Sequence, residues 1–196
     1  MSSEHPIHGD MRVLSSLLQE TVAPHLQHVG TQDDFRILNL ACGQCNEAGT
    51  LVNFAQSLTQ GDIRLTGADI RIREILQARE EHAHLPAEFL LEDATKLKAH
   101  RELGDDFKMV LLRHQNYWHG QETWKHIFEE GLSRVSDDGV VVITSYFDKE
   151  HQLALKALQQ LGAEVVATRV NERSRKLVTP GKSVDKHIAV LRRKKG

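Results

Sequence analysis

Aromatic residues are scarce in this 196-residue chain, at 5% of the total, which leaves little for base stacking on a nucleic acid. Only two cysteines are present, Cys42 and Cys45, so a framework of disulfides is excluded. No apolar run approaches the roughly 20 residues of a membrane span, and the opening MSSEHPIHGD lacks the apolar stretch of a secretory signal. A cytoplasmic protein without membrane contact is therefore expected. Repeats, low-complexity segments and long linkers are also absent, and the length suits one domain with a sizeable core.

The formal net charge of −2 conceals an asymmetry. From Arg169 to the end there are ten Lys or Arg against two acids, Glu172 and Asp185, so this segment carries +8 and the remainder −10. A basic end of this kind is a candidate surface for an anionic partner, RNA included, and equally a solvated loop and tail.

What is present is an alternation. An Asp-Asp pair precedes an apolar run three times, in DDFRILNLA from 33, DDFKMVLLR from 105 and DDGVVVITSYF from 137. Paired aspartates favour turns, and short runs rich in Ile, Leu and Val mark strands buried on both faces. IRLTGAD (63–69) and AEFLLED (87–93) are two more such runs. Between them, apolar residues recur at helical spacing from Met11 to His28, Glu47 to Leu58, Ile70 to His82, Glu122 to Val135 and Lys149 to Leu161. Strand and helix thus alternate, the pattern of an α/β fold with a parallel sheet and right-handed crossovers. AEVVATRV (163–170) and KHIAVLRR (186–193) have no helix between them and predict a closing antiparallel hairpin. Residues 1–30 are expected to form a helical segment that lids a pocket or covers the sheet, within the same domain as 31–196.

NLACGQCNEAG (39–49) supports two chemistries. As Cys42-x-x-Cys45 at a helix start it is a candidate thiol–disulfide centre, because backbone N–H groups there lower a thiol pKa. A zinc site needs four ligands, and neither His25-x-x-His28 nor His82-x-His84 stands at an ordinary finger spacing from the cysteines, so no metal is expected. As a small-residue turn after an apolar strand, the same stretch is a place for a cofactor. The other strand ends bear on the choice, since open α/β sheets bind ligands at the carboxyl ends of their strands. The second run ends in Asp69, placed to take the hydroxyls of a ribose, and the third in Asp93-Ala94, an acid that can accept from an exocyclic amine. A pyrophosphate would require the glycines of G-x-G-x-x-G, of which only Gly43 is available. S-adenosylmethionine, with ribose, adenine and an amino-acid end but no phosphate, suits the pattern.

From about Phe35 to Arg193 the chain resembles the class I S-adenosylmethionine-dependent methyltransferases. ILNLACGQC is similar to that family's first motif, TGADI to its ribose-binding strand end and LLEDA to its adenine-binding one. FKMVLLRH and GVVVITSYF resemble its fourth and fifth strands. The resemblance implies a Rossmann-like, doubly wound, seven-stranded sheet, mostly parallel with an antiparallel C-terminal hairpin. It implies S-adenosylmethionine as cofactor, held by Asn39, Ala41, Cys42, Gly43, Asp69, Ile70, Asp93, Ala94 and Arg113. Asn39 stands where the family usually has an acid, and Ala41 and Cys45 where it often has glycine. Lys108 replaces a frequent Asp.

Methyl transfer depends on alignment, helped by a base when the nucleophile carries a proton. The site is expected beyond the fourth strand, in RHQNYWHG (113–120), with His114 as base and Asn116 and Tyr117 as orienting groups. The expected activity is methyl transfer to a small molecule. Methylation of RNA through basic residues 169–196, a non-catalytic cofactor-fold scaffold and a thiol-redox protein are the alternatives.

Overall fold

The computed structural model describes residues 6–194. Seven strands form one sheet: β1 (Phe35–Leu40), β2 (Ile63–Asp69), β3 (Ala87–Leu91), β4 (Phe107–Leu112), β5 (Val135–Ser145), β6 (Ala163–Val170) and β7 (His187–Arg193). Their order is β3-β2-β1-β4-β5-β7-β6. The first five run parallel, and β7 is antiparallel to both β5 and β6. The expected α/β sheet with its closing hairpin is what the chain adopts.

Alternation along the central strands feeds two cores. Met109, Leu111, Val140 and Val142 join one, with Leu51 and Phe54 of α2 (Ala48–Gln56) and Ile75 of α3 (Ile72–Glu81). Val110, Leu112, Val141 and Ile143 join the other, with Phe128 and Leu132 of α4 (Gln121–Arg134) and Ala154 and Leu158 of α5 (Asp148–Gln160). Neighbouring residues of one strand thus bury on opposite faces, which is why the runs read as continuous apolar stretches.

The N-terminal segment differs in form from a single helix over 11–28. Helix α1 spans Pro6–Leu17, widens into a π turn at Leu18–Val22 and tightens to a 3-10 turn at Ala23–His25. The extra residue per turn keeps Leu14, Leu17, Leu18, Val22 and Leu26 all buried in the first core. Strand β5 also begins earlier than its apolar run, directly where α4 ends, and the pair Asp137-Asp138 sits in an irregularity of its pairing with β4. Among the described residues no helix is long and apolar enough to cross a membrane.

The strand order reverses between β1 and β4, the place where an open α/β sheet leaves a crevice beyond its strand ends. Asn39 of β1 lies beside Gly67 of β2 and Leu111 of β4. The residues that follow, Ala41–Gly43, Asp69 and Arg113–His114, are thereby carried to one end of the sheet.

Candidate functional site

A cleft of about 310 Å³ opens at this switch point, lined among others by Ala41, Cys42, Gly43, Glu47, Arg71, Arg113, His114 and Tyr146. The turn beneath it is built from the backbone. The Cys42 N–H donates to Ala68 O (3.1 Å) and that of Cys45 to Cys42 O (2.8 Å), and the Ala48 N–H to Cys45 O (2.8 Å) leads into α2. Gly43 adopts φ +58°, and its N–H donates to Asp69 Oδ2 at 2.8 Å. The first strand's turn and the second strand's acid are thus one hydrogen-bonded unit. Four non-glycine residues, Ala41, Cys45, His114 and Asp185, have φ between +47° and +56°. Ala41 and His114 line the crevice, and Cys45 and Asp185 bond to its lining residues Cys42 and Arg113; such conformations persist where the surrounding structure fixes them.

Asp69 is buried, and its carboxylate is fully engaged. Oδ1 accepts from the backbone N–H and Nε of Arg71 (2.9 Å each), and Oδ2 accepts from Gly43 and from Arg71 Nη2 (3.1 Å). Burial alone would push this carboxyl up, but the Arg71 and Gly43 hydrogen bonds outweigh it and hold it below the usual range. The exposed Arg71 guanidinium lies over the turn, so close that a Cβ on Gly43 would meet Nη2 at 3.0 Å.

Asn39 is fully buried on the floor. Its Nδ2 donates to Glu47 Oε1 (2.6 Å) and to Cys45 Sγ (3.2 Å), while Oδ1 is buried with no partner. Glu47, at the entry to α2, therefore brings a carboxylate beside the amide that stands in an acid's usual place. It is shared with Arg113, whose Nη1 lies 3.1 Å from Glu47 Oε2. Arg113 also clasps Asp185 from the loop before β7, with Nη2 2.7 Å from Oδ2 and Nε 3.1 Å from Oδ1. Burial would push the Asp185 carboxyl up, but Arg113, with a smaller contribution from the His114 contact, prevails and holds it far below the ordinary range. Asp185 Oδ1 also lies 2.8 Å from His114 Nε2.

Sequence reasoning named His114 and Arg113 but missed Glu47, Arg71, Tyr146 and Asp185. A strand-end arginine in an apolar setting is itself a signal, because a buried guanidinium requires carboxylates nearby. The remaining expected residues fall outside the cleft lining. Ile70 is 68% exposed. Asp93, at the end of β3, accepts from the N–H and hydroxyl of Thr95, with Ala94 buried behind it. Tyr117 stacks on Phe128 at 5.6 Å, and Asn116 precedes the short 3-10 turn Tyr117–His119.

The thiols are free, and Cys45 is buried. A hydrogen bond with Cys42, then burial and the Glu47 charge, push its thiol well above the ordinary range. Such a shift keeps the Cys45 thiol in its protonated form at neutral pH. The basic segment, for its part, meets acids of its own chain. Arg169 and Arg173 pair with Glu20 (2.7 and 2.8 Å), Arg175 with Asp10 (2.6 Å), and Lys186 with Asp148 (2.8 Å). The charge asymmetry along the sequence is in good part an internal complementarity.

No protein-family model and no curated protein sequence matches the chain. Solved structures do. A methyltransferase dependent on S-adenosylmethionine from Clostridium acetobutylicum aligns with TM-score 0.69 at 12% identity, over 94% of this chain and 92% of that one. A TehB-like methyltransferase from Corynebacterium glutamicum gives 0.62 at 14%, over 95% and 88%. The magnesium protoporphyrin IX methyltransferase of Synechocystis, solved with S-adenosylmethionine bound, gives 0.65 at 14%, over 99% and 86%. At these identities the likeness is one of fold, the fold of the class I methyltransferases.

Proposed function

We propose that the crevice binds S-adenosylmethionine and that the protein transfers its methyl group to a small acceptor. The observation that carries this reading is the Gly43–Asp69 unit at the switch point of a methyltransferase-like sheet. The residues fit the group. Asp69 faces the turn where a ribose diol would sit, and Asn39 Oδ1 is a buried acceptor lacking a donor. Glu47 supplies beside it the negative charge that an ammonium group requires. When bound, the cofactor supplies a methyl group on a positively charged sulfur. His114, at the rim of the same cleft, is the base for an acceptor that must lose a proton. The internal pairing of the basic segment favours a small acceptor over RNA.

Calorimetry with S-adenosylmethionine and its demethylated product tests the assignment, and absence of heat with both at millimolar ligand would overturn it. A hydrogen bond to a charged group contributes roughly 1.5–3 kcal/mol, so Asp69→Ala should weaken binding about 10- to 100-fold. Arg71→Ala should act in the opposite direction. Its guanidinium occupies two of the four acceptor positions of Asp69 and must leave before a diol can take them. The pair joins an exposed guanidinium to a buried carboxylate, so it is worth at least the roughly 1 kcal/mol of a good exposed pair, and removing this competitor should tighten binding about 5-fold or more.

A further inference from the structure

We propose that Asp185 is the positioning residue for His114, a side chain of the cleft lining: its carboxylate holds the Nε2 proton, which leaves Nδ1 as the basic nitrogen. The inference rests on the reading of the crevice as a methyl-transfer site. Three contacts fix the imidazole. Its ring stacks on Tyr146 with centroids 4.0 Å apart, its backbone N–H donates to Thr144 Oγ1 at 2.9 Å, and Nε2 meets Asp185 Oδ1 at 2.8 Å. Asp185 is held as firmly. It is 1% exposed, its carbonyl accepts from buried Asn171 Nδ2 at 3.0 Å, and Arg113 clasps its carboxylate.

The charges favour this role. Glu47 and Asp185 are two buried carboxylates against one guanidinium, Arg113, which leaves one negative charge to spare. An acceptor N–H, O–H or S–H gives its proton to Nδ1 as its heteroatom bonds to the methyl carbon. The electron pair of the broken methyl–sulfur bond stays on sulfur, so one positive charge passes from sulfonium to imidazolium. Asp185 remains a carboxylate throughout and stabilises that imidazolium.

The backbone provides a discriminating test. The Asp185 N–H also points at His114 Nε2, at 3.1 Å, so Nε2 has an acceptor and a donor within reach, and only one can be served. The hydrogen bond formed at Nε2 is that of the incoming N–H, but the carboxylate is nearer and anionic, and an unprotonated Nε2 would set a lone pair against that charge, which favours the Nε2–H tautomer. Asp185→Gly removes the carboxylate, keeps the main-chain N–H and tolerates the positive φ. In it the N–H should take the Nε2 lone pair and move the ring proton to Nδ1. Asp185→Asn keeps an oxygen acceptor, accepts the same backbone conformation and should retain Nε2–H.

Long-range ¹⁵N–¹H correlation spectra at alkaline pH distinguish the two tautomers, with the His114 signals identified by their loss in His114→Gln. The expected result is Nε2–H in the wild type and Asp185→Asn, and Nδ1–H in Asp185→Gly. An Nδ1–H wild type would overturn the proposal whether or not the variants fold, and so would a folded Asp185→Gly that keeps Nε2–H. These spectra need no cofactor. Failure of S-adenosylmethionine to bind in calorimetry is therefore a separate result, which would remove the methyl-transfer reading and leave the Asp185–His114 orientation measured.

Discussion

Arg113→Ala is expected to lower folding stability at neutral pH by about 3–5 kcal/mol, the range seen when one partner of a buried ion pair is removed. The side chain is 10% exposed and lies between Glu47 and Asp185, whose side chains are 5% and 2% exposed. Without the guanidinium these two buried carboxylates lose their shared counter-charge. Three elements would lose their common tie: the entry to α2, the end of β4 and the loop before β7. Arg113→Lys keeps the charge but cannot reach both carboxylates with a planar fork, so it should recover only part of the loss. Glu47→Gln combined with Arg113→Ala leaves one buried carboxylate in place of two and should also recover part. Urea unfolding of the four proteins at one pH measures this. A loss below about 1 kcal/mol in Arg113→Ala would show that water, not the guanidinium, solvates the cluster.

The sheet was legible in the sequence because its strands are buried on both faces, and unbroken runs such as KMVLL and VVVIT have few other uses at that length. The closing hairpin was legible for a different reason, the absence of any helical pattern between 170 and 186. Less legible was the form of the N-terminal helix. Apolar spacing identifies the buried face, and Leu14, Leu17, Leu18, Val22 and Leu26 are indeed all buried. Spacing does not register the change to a π turn, because the same residues reach the same core. The start of β5 was hidden by Ser136, Asp137 and Asp138, polar residues at a pairing irregularity that read as a turn.

The site divides along similar lines. Strand ends are local features, so Asp69, Gly43, Arg113 and His114 could be placed from runs of apolar residues alone. Glu47 and Asp185 could not. Each reaches Arg113 across 66 or 72 positions, and neither sits at the end of an apolar run. Asp185 in particular lies in a polar loop, where an acid is most often solvated, and only the fold of the hairpin turns it inward. Arg71 fell inside the helical pattern from Ile70 to His82, yet it precedes α3 and its side chain turns back onto Asp69, two positions away.

A second large effect is expected on acidification, from a histidine outside the cleft lining. His151 of α5 is buried among Ser145 of β5, Thr168 of β6 and His187 of β7, whose ring stacks on it at 4.7 Å. The hydrogen bonds run one way. Gln115 Nε2 donates to Ser145 Oγ (2.9 Å), and the Ser145 hydroxyl donates to His151 Nδ1 (3.0 Å). His151 Nε2–H then donates to Thr168 Oγ1 (2.9 Å), and that hydroxyl to Ile188 O (3.4 Å). A neutral imidazole with its proton on Nε2 completes this chain, and a second proton on Nδ1 would force the Ser145 hydroxyl to accept instead of donate. Burial, aided by the His187 charge and opposed by Asp148, lowers His151 to about 4. The folded value lies below the ordinary 6.5, so the unfolded chain binds more protons between them. Stability is therefore full above pH 6.5 and falls as the pH drops towards 4, by at most about 3 kcal/mol. Glu130 and Glu150, whose carboxyls burial pushes up, shift stability the other way over this range, so the wild type alone does not isolate the histidine. The comparison with His151→Gln does. The variant should be less stable at neutral pH and should lose about 3 kcal/mol less than the wild type on going down to pH 4. Urea unfolding at steps through that interval measures both slopes. Parallel slopes would mean that His151 is protonated in the folded protein, against the one-way chain of donors around it.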